Sequence, residues 1–179
     1  IQKKSIDLLD DPKTFTIVTG HQLNIFTGPL YFVYKILSVI KLAEELKSEY
    51  PEYNFVPVYW MASEDHDFEE IQFFNHRGNK HTWKSNQKGA VGRFSLETID
   101  KFLSDLDLDE KWKKFYKDSS NLSQAHIKLV STLFKDFNIV ILDADSEELK
   151  NIYSDTIKKD LKEDITFNRV EESSKSLSD

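Results

Sequence analysis

Residues 15–46, FTIVTGHQLNIFTGPLYFVYKILSVIKLAEEL, decide how the rest of the chain is read. Phe15, Ile17 and Val18 form a short β-branched and aromatic run, a strand over about 14–19. Thr19, Gly20, His21 and Gln22 then turn off it. Thr27 and Gly28 lead into Pro29, which suits the first helical position, where a missing N–H costs nothing. Leu30, Val33, Ile36, Leu37, Ile40 and Ala43 recur at helical spacing, so a helix is expected over about 29–48. Phe32 and Val39 widen its stripe, which calls for cover on more than one side. Strand, glycine-bearing loop and helix start make the first half of a βαβ unit, which presents backbone N–H groups and a positive dipole end to an anion.

Working outward, residues 1–12 read as the tail of a helix or linker stopped by Pro12. Tyr50-Pro51 ends the long helix, because the residue before proline is pushed away from αR. The second strand covers about 55–61, FVPVYWM, apolar enough for burial on both faces of a parallel sheet. Pro57 is the mild objection, since it removes a ladder donor. Residues 75–94 change character, with three glycines among polar and bulky residues, and read as a hairpin with strands near 79–84 and 91–95. Helices are expected at about 97–106, 108–117 and 122–136, the last capped by Asn121. A third core strand follows at 138–142, NIVIL, and then a helix to about 162, capped by Asp145 with Glu148 as its capping-box partner. The segment 166–179 is polar and begins another helix. The pattern β-α-β, insertion, α, β, α predicts an α/β fold: a parallel sheet with helices on both faces and a small β-hairpin and helical insertion over 75–120. Three strands are few for a finished sheet. That count, and Ile1 in place of an initiator Met, predict a piece of a longer protein whose sheet is incomplete here. An unfinished sheet exposes a strand edge, which predicts either pairing with a second copy or marginal stability.

Composition bounds the function. The chain has 179 residues, 39% hydrophobic and 31% charged, with a formal charge of −7, which argues against general nucleic-acid binding. The absence of cysteine rules out a disulfide framework and a thiolate metal site. No apolar run is long enough to span a membrane, and no signal peptide opens the chain.

Three constellations could carry chemistry. Thr19-Gly20-His21-Gln22 with Thr27-Gly28-Pro29 forms either an anion-binding turn at the carboxyl end of a strand or a connection whose glycines only permit tight bends. Lys35, two turns into the helix, either reaches that crevice or snorkels to solvent. Glu64-Asp65-His66-Asp67 follows the second strand and so falls on the same rim. Those four groups could hold a substrate amine, supply a general base or bind a divalent metal, or be a solvated acidic loop at a helix start. Metal spacing is poor, and no dedicated metal site is predicted. In Asp143-Ala-Asp145, Asp145 reads as a helix cap, and Asp143 stays an outside candidate for the site. His76 and His81, beside Arg77, Lys80 and Lys84, form a small basic patch. His126 is expected at the surface or half-buried.

VTGHQLNIFTGPLYFVYKILSVIKLAEEL followed by VPVYWMASEDHDFEEI closely resembles the bacillithiol biosynthesis cysteine-adding enzymes. The family pattern is matched at Thr19, Gly20, Gln22, Gly28, Pro29, Leu30, Tyr31, Lys35, Pro57, Trp60, Glu64, Asp65, His66 and Asp67. His21 stands where many members carry Gln. The resemblance implies a Rossmann-like fold similar to class I aminoacyl-tRNA synthetase cores, with later strands and a dimerising coiled coil beyond residue 179. It also implies a cytoplasmic ligase that adds cysteine to glucosaminyl-malate, with ATP or another nucleotide as an energy source left open. Catalysis would rest on Asp65, His66 and Asp67. Thr19, Gly20, His21, Gln22, Thr27, Gly28, Pro29, Tyr31, Lys35, Trp60 and Glu64 would bind substrate or nucleotide. The other readings are a binding or assembly domain without catalysis, and a metal-dependent amidase acting through residues 64–67.

Overall fold

The computed structural model describes residues 2–177. In chain order the elements are α1 (Gln2–Leu8), β1 (Thr14–Gln22), α2 (Leu30–Glu49), β2 (Asn54–Ala62), α3 (Phe68–Ile71), β3 (Phe73–His76), β4 (Asn79–Thr82), α4 (Ile99–Ser104), α5 (Glu110–Lys117), α6 (Leu122–Leu133), β5 (Val140–Asp143), α7 (Glu147–Ile152), α8 (Ser154–Glu163) and α9 (Ile165–Leu177). A 3-10 turn at Val91–Arg93 lies between β4 and α4.

Strands β1, β2 and β5 form a parallel sheet in that order. Their register aligns the carboxyl ends: Gln22 pairs with Ala62, and Met61 pairs with Asp143. Everything that follows any of these strands therefore leaves along one rim. The fold is the expected α/β Rossmann-like arrangement, a parallel sheet flanked by helices. Strand parity sorts the core. Tyr59 and Met61 join Phe32, Ile36 and Ile40 of α2 and Leu122, Ala125 and Val130 of α6 in the main cluster. Val56, Val58 and Val140, one residue out of phase, cluster on the other face. Each apolar side chain so buried contributes about 1.5–3 kcal/mol. Helix α1 rests against β2 and β5, where the buried Ser5 hydroxyl donates to the Asn138 carbonyl at 2.9 Å.

Contacts divide the chain into two units, residues 1–144 and 145–179. The second holds α7 to α9, with no buried side chain in any of the three helices.

Several expectations change, among them the single helix to about 162, which is divided into α7 and α8 at Tyr153. The TGHQ segment does not turn off the sheet: β1 continues through it to Gln22, because each residue still finds its partner on β2. The hairpin is β3 with β4, turning at Arg77 and Gly78, both at positive φ, so it starts earlier than 79. Residues 91–95 form no strand, since the 3-10 turn there docks on the end of β2. Ser146, not Asp145, caps α7: its Oγ accepts from Leu149 N–H at 3.4 Å and donates to Glu148 at 2.8 Å, while Asp145 pairs with Lys150.

Candidate functional site

The rim at the carboxyl ends of β1 and β2 gathers most of the polar side chains singled out above. Gln22, the last residue of β1, sends its Nε2 2.6 Å to the Asp65 carboxylate, just past the end of β2. The other Asp65 oxygen accepts from Asp67 N–H at 2.9 Å, and the Asp65 carbonyl accepts from Val91 N–H at 2.7 Å. Those donors, the Asp67 amide foremost and Gln22 next, hold the Asp65 carboxyl below its usual range, so it is ionised at neutral pH. Asp65 is half-buried, and Glu64, His66 and Asp67 are exposed.

His21 is half-buried one residue before Gln22. Its Nδ1 lies 2.8 Å from the Gln22 carbonyl oxygen. A carbonyl only accepts, which assigns the ring proton to Nδ1 and leaves Nε2 as an acceptor. Burial, and to a lesser degree the nearby Lys35 charge, lower its pKa against the opposing Gln22 contact, so the ring is neutral at pH 7. Tyr31 and Phe32 flank it, with ring centroids at 5.1 and 5.3 Å.

Residues 23–28 then connect β1 to α2 as a buried loop. Leu23 and Ile25 have no exposed surface, and Asn24 and Phe26 are also buried. Gly28 N–H donates to the Ile25 carbonyl at 3.2 Å, closing a turn whose first central residue, Phe26, has φ of 55°. Gly28 itself has φ of 56°, and a Cβ there would lie 2.5 Å from the Asn24 side chain. Glycine at 28 is therefore required twice over. Asn24 in turn donates to the Gln22 carbonyl at 3.2 Å.

This loop and the start of α2 wall a cavity of about 450 Å³. His21, Gln22, Asn24, Gly28, Pro29 and Tyr31 form one side, and Glu70, Phe73, Phe74 and Asn75 form the other. Pro29 precedes α2 and no side chain caps the helix, so the positive end of a 20-residue helix faces this space. His66 and Asp67 line a different groove with Glu69, Gln72 and the segment Ser85–Lys88. The Asp67 carboxylate also caps α3, accepting from Glu70 N–H at 3.4 Å.

The remaining candidates fall as follows. Lys35 reaches the Gly20 carbonyl rather than snorkelling freely. Thr19 and Gly20 pair with Tyr59 and Trp60 inside the sheet, and Trp60 stands on its open face, 44% exposed beside the also exposed Val18. Thr27 is half-buried in the β1–α2 loop. Asp143 accepts a hydrogen bond from the Ser63 hydroxyl. His126 is fully buried, against expectation: its stretch of α6 packs under β2, where Tyr59 and Phe32 surround the ring. Among the described residues, no three His, Cys, Asp or Glu side chains converge as metal ligands. Asn24 and Glu70 line the cavity without having been singled out. Asn24 carried a signal, a lone amide in an otherwise apolar loop; Glu70 carried none.

With this geometry in view, the comparisons with known proteins are specific. The family model described as "Bacillithiol biosynthesis BshC, N-terminal Rossmann-like domain" matches residues 1–179. The chain belongs to the BshC family. The Flavobacterium psychrophilum protein named "Putative cysteine ligase BshC" is 49% identical over 190 residues, covering 100% of this chain and 36% of its own length. A protein of the same name from Flavobacterium johnsoniae is 46% identical over 186 residues, covering 98% of this chain and 35% of its own. One from Salinibacter ruber is 30% identical over 186 residues, covering 90% and 33%. The chain thus spans about a third of the length of the curated BshC relatives it matches. As a BshC N-terminal domain it contributes the strand rim, the cavity and the start of α2 described above.

Proposed function

We propose that the protein carrying this domain joins cysteine to glucosaminyl-malate in bacillithiol biosynthesis, and that the rim of β1 and β2 holds the reacting groups. The observation that carries this reading is the Asp65 carboxylate, kept ionised by the Asp67 amide and by Gln22, itself a residue that lines the cavity. A fixed carboxylate of that kind suits the ammonium group of cysteine. The chemistry joins the cysteine carboxyl to the glucosamine amine with net loss of the elements of water; when a nucleotide activates the carboxyl, the lost oxygen departs on the phosphate leaving group. It needs an activated carboxyl, for which ATP or another nucleotide is the proposed source, and a base that takes a proton from the amine. His66 is the proposed base, with Asp67 as its acidic neighbour. His21 offers Nε2 as a hydrogen-bond acceptor. The start of α2, with Gly28, is the proposed seat of the malate carboxylates or of a phosphate. We further propose that the whole protein works in the cytoplasm as a homodimer, through a coiled coil lying outside this domain.

Asp65→Ala and His66→Ala in the whole protein test the site. Each is expected to cut turnover by on the order of tenfold to a hundredfold, the scale of one charged hydrogen bond, while leaving the thermal midpoint near that of the parent. Full activity in both variants would remove these residues from the mechanism.

A further inference from the structure

The cavity is built on a turn that its own loop does not hold alone. Phe26 sits at the first central position of the turn from Ile25 to Gly28 with φ of 55°, a place where glycine is the usual occupant. A bulky side chain in that region needs outside support. The support comes from α3, β3 and, in the insertion, α5. Phe26 N–H donates to the Tyr116 hydroxyl of α5. The Tyr116 and Phe74 rings pack on Phe26 with centroids at 4.9 and 4.8 Å, and Tyr116 is 1% exposed. One residue earlier, Ile25 N–H donates to the Ile71 carbonyl at 3.3 Å. Two residues later stands Gly28, where the cavity wall and the start of α2 begin.

We propose that Tyr116 is a positioning residue for this cavity: its hydroxyl holds Phe26 in the positive-φ turn and so aims Gly28 and the first turn of α2 at the ligand. The proposal rests on the reading above that this cavity takes an anionic substrate. It makes the insertion part of the binding apparatus, and it separates the Tyr116 hydroxyl from the Tyr116 ring, which packs the core in either case.

The test compares Tyr116→Phe with Ser5→Ala in the whole protein. The first keeps the ring and removes the hydroxyl; the second removes a buried hydrogen bond at the opposite end of the sheet. Hydrogen–deuterium exchange read by mass spectrometry follows the peptide over residues 23–30 and, as reference, the peptide over α6. Tyr116→Phe is expected to speed exchange in 23–30 about fivefold with α6 unchanged, the effect of one lost hydrogen bond, and Ser5→Ala to leave 23–30 alone. With substrates present, KM for the anionic substrate should rise by a similar factor while kcat stays within about twofold. Equal behaviour of the two variants, a uniform rise across the chain, or an unfolded Tyr116→Phe protein would make Tyr116 a general stability residue and overturn the proposal. The exchange readout needs no substrate, so it decides the point even if the protein makes no ligation product.

Discussion

His126 shows how a side chain outside the cavity bears on it. Its Nε2 lies 3.1 Å from the Tyr59 hydroxyl, which also lies 3.3 Å from the His21 carbonyl oxygen. Complete burial lowers the His126 pKa from its ordinary 6.5 to about 4, with the Asn24 backbone opposing and His21 assisting. Below pH 6.5 the unfolded chain binds a proton that the folded chain refuses. The stabilisation is thus complete above that pH and shrinks as pH falls towards about 4. Between pH 7 and pH 5 the loss is about 2 kcal/mol from this residue, and the shift of His21 acts in the same sense. Denaturant titrations at the two pH values should show it, and His126→Gln should remove most of that difference. An unchanged difference in the variant would mean that His126 does not titrate on unfolding as described.

At the scale of elements, the short 3-10 turn after β4 explains much of the rim. Val91 N–H and Gly92 N–H donate to the carbonyls of Asp65 and Ser63, so the turn is stitched along the end of β2. A Cβ on Gly92 would lie 2.4 Å from Ser123 Oγ, 2.7 Å from Ser63 Cβ and 2.9 Å from the Ser63 carbonyl oxygen. A hydroxyl can rotate away, but the backbone oxygen cannot. Gly92→Ala should therefore lower stability by about 1–3 kcal/mol, whereas Gly78→Ala, with open space around it, carries only the cost of its positive φ. Chemical denaturation of both variants checks this; equal losses would contradict the close packing of the turn on β2.

That turn is also where local sequence pattern and structure part. The parallel strands and α2 were legible because their apolar runs and 3.6-residue stripe answer to burial, which acts locally on each side chain. The turn at Gly92 answers to Ser63 and Ser123, which lie 29 and 31 residues away in sequence, and no local pattern encodes that. The hairpin was displaced because Arg77, an unusual residue for a positive φ, hides the turn it forms with Gly78. Glu64 to Asp67 could be placed on the rim from strand order alone. That His66 and Asp67 line the neighbouring groove and not the cavity depends on the dihedral path after Ala62, which residue types do not specify.

On the scale of the whole molecule, the chain spans about a third of the length of its relatives, and its sheet frames the rim and the cavity. Among the described residues β1 pairs on one side only, with β2. The Lys35 ammonium sits on the Gly20 carbonyl of that strand, a placement of charge that discourages edge-to-edge association. Val18 and Trp60 leave apolar surface open on the sheet face. The most direct measurement of the proposed ligation is mass spectrometry of reactions containing the whole protein, cysteine, glucosaminyl-malate and ATP, with a parallel tube lacking ATP. The predicted result is a product heavier than glucosaminyl-malate by cysteine minus water, formed only with protein, and the ATP-free tube then identifies the energy source. No product in either tube would contradict the ligase reading and leave the ionised Asp65 rim to a different ligand.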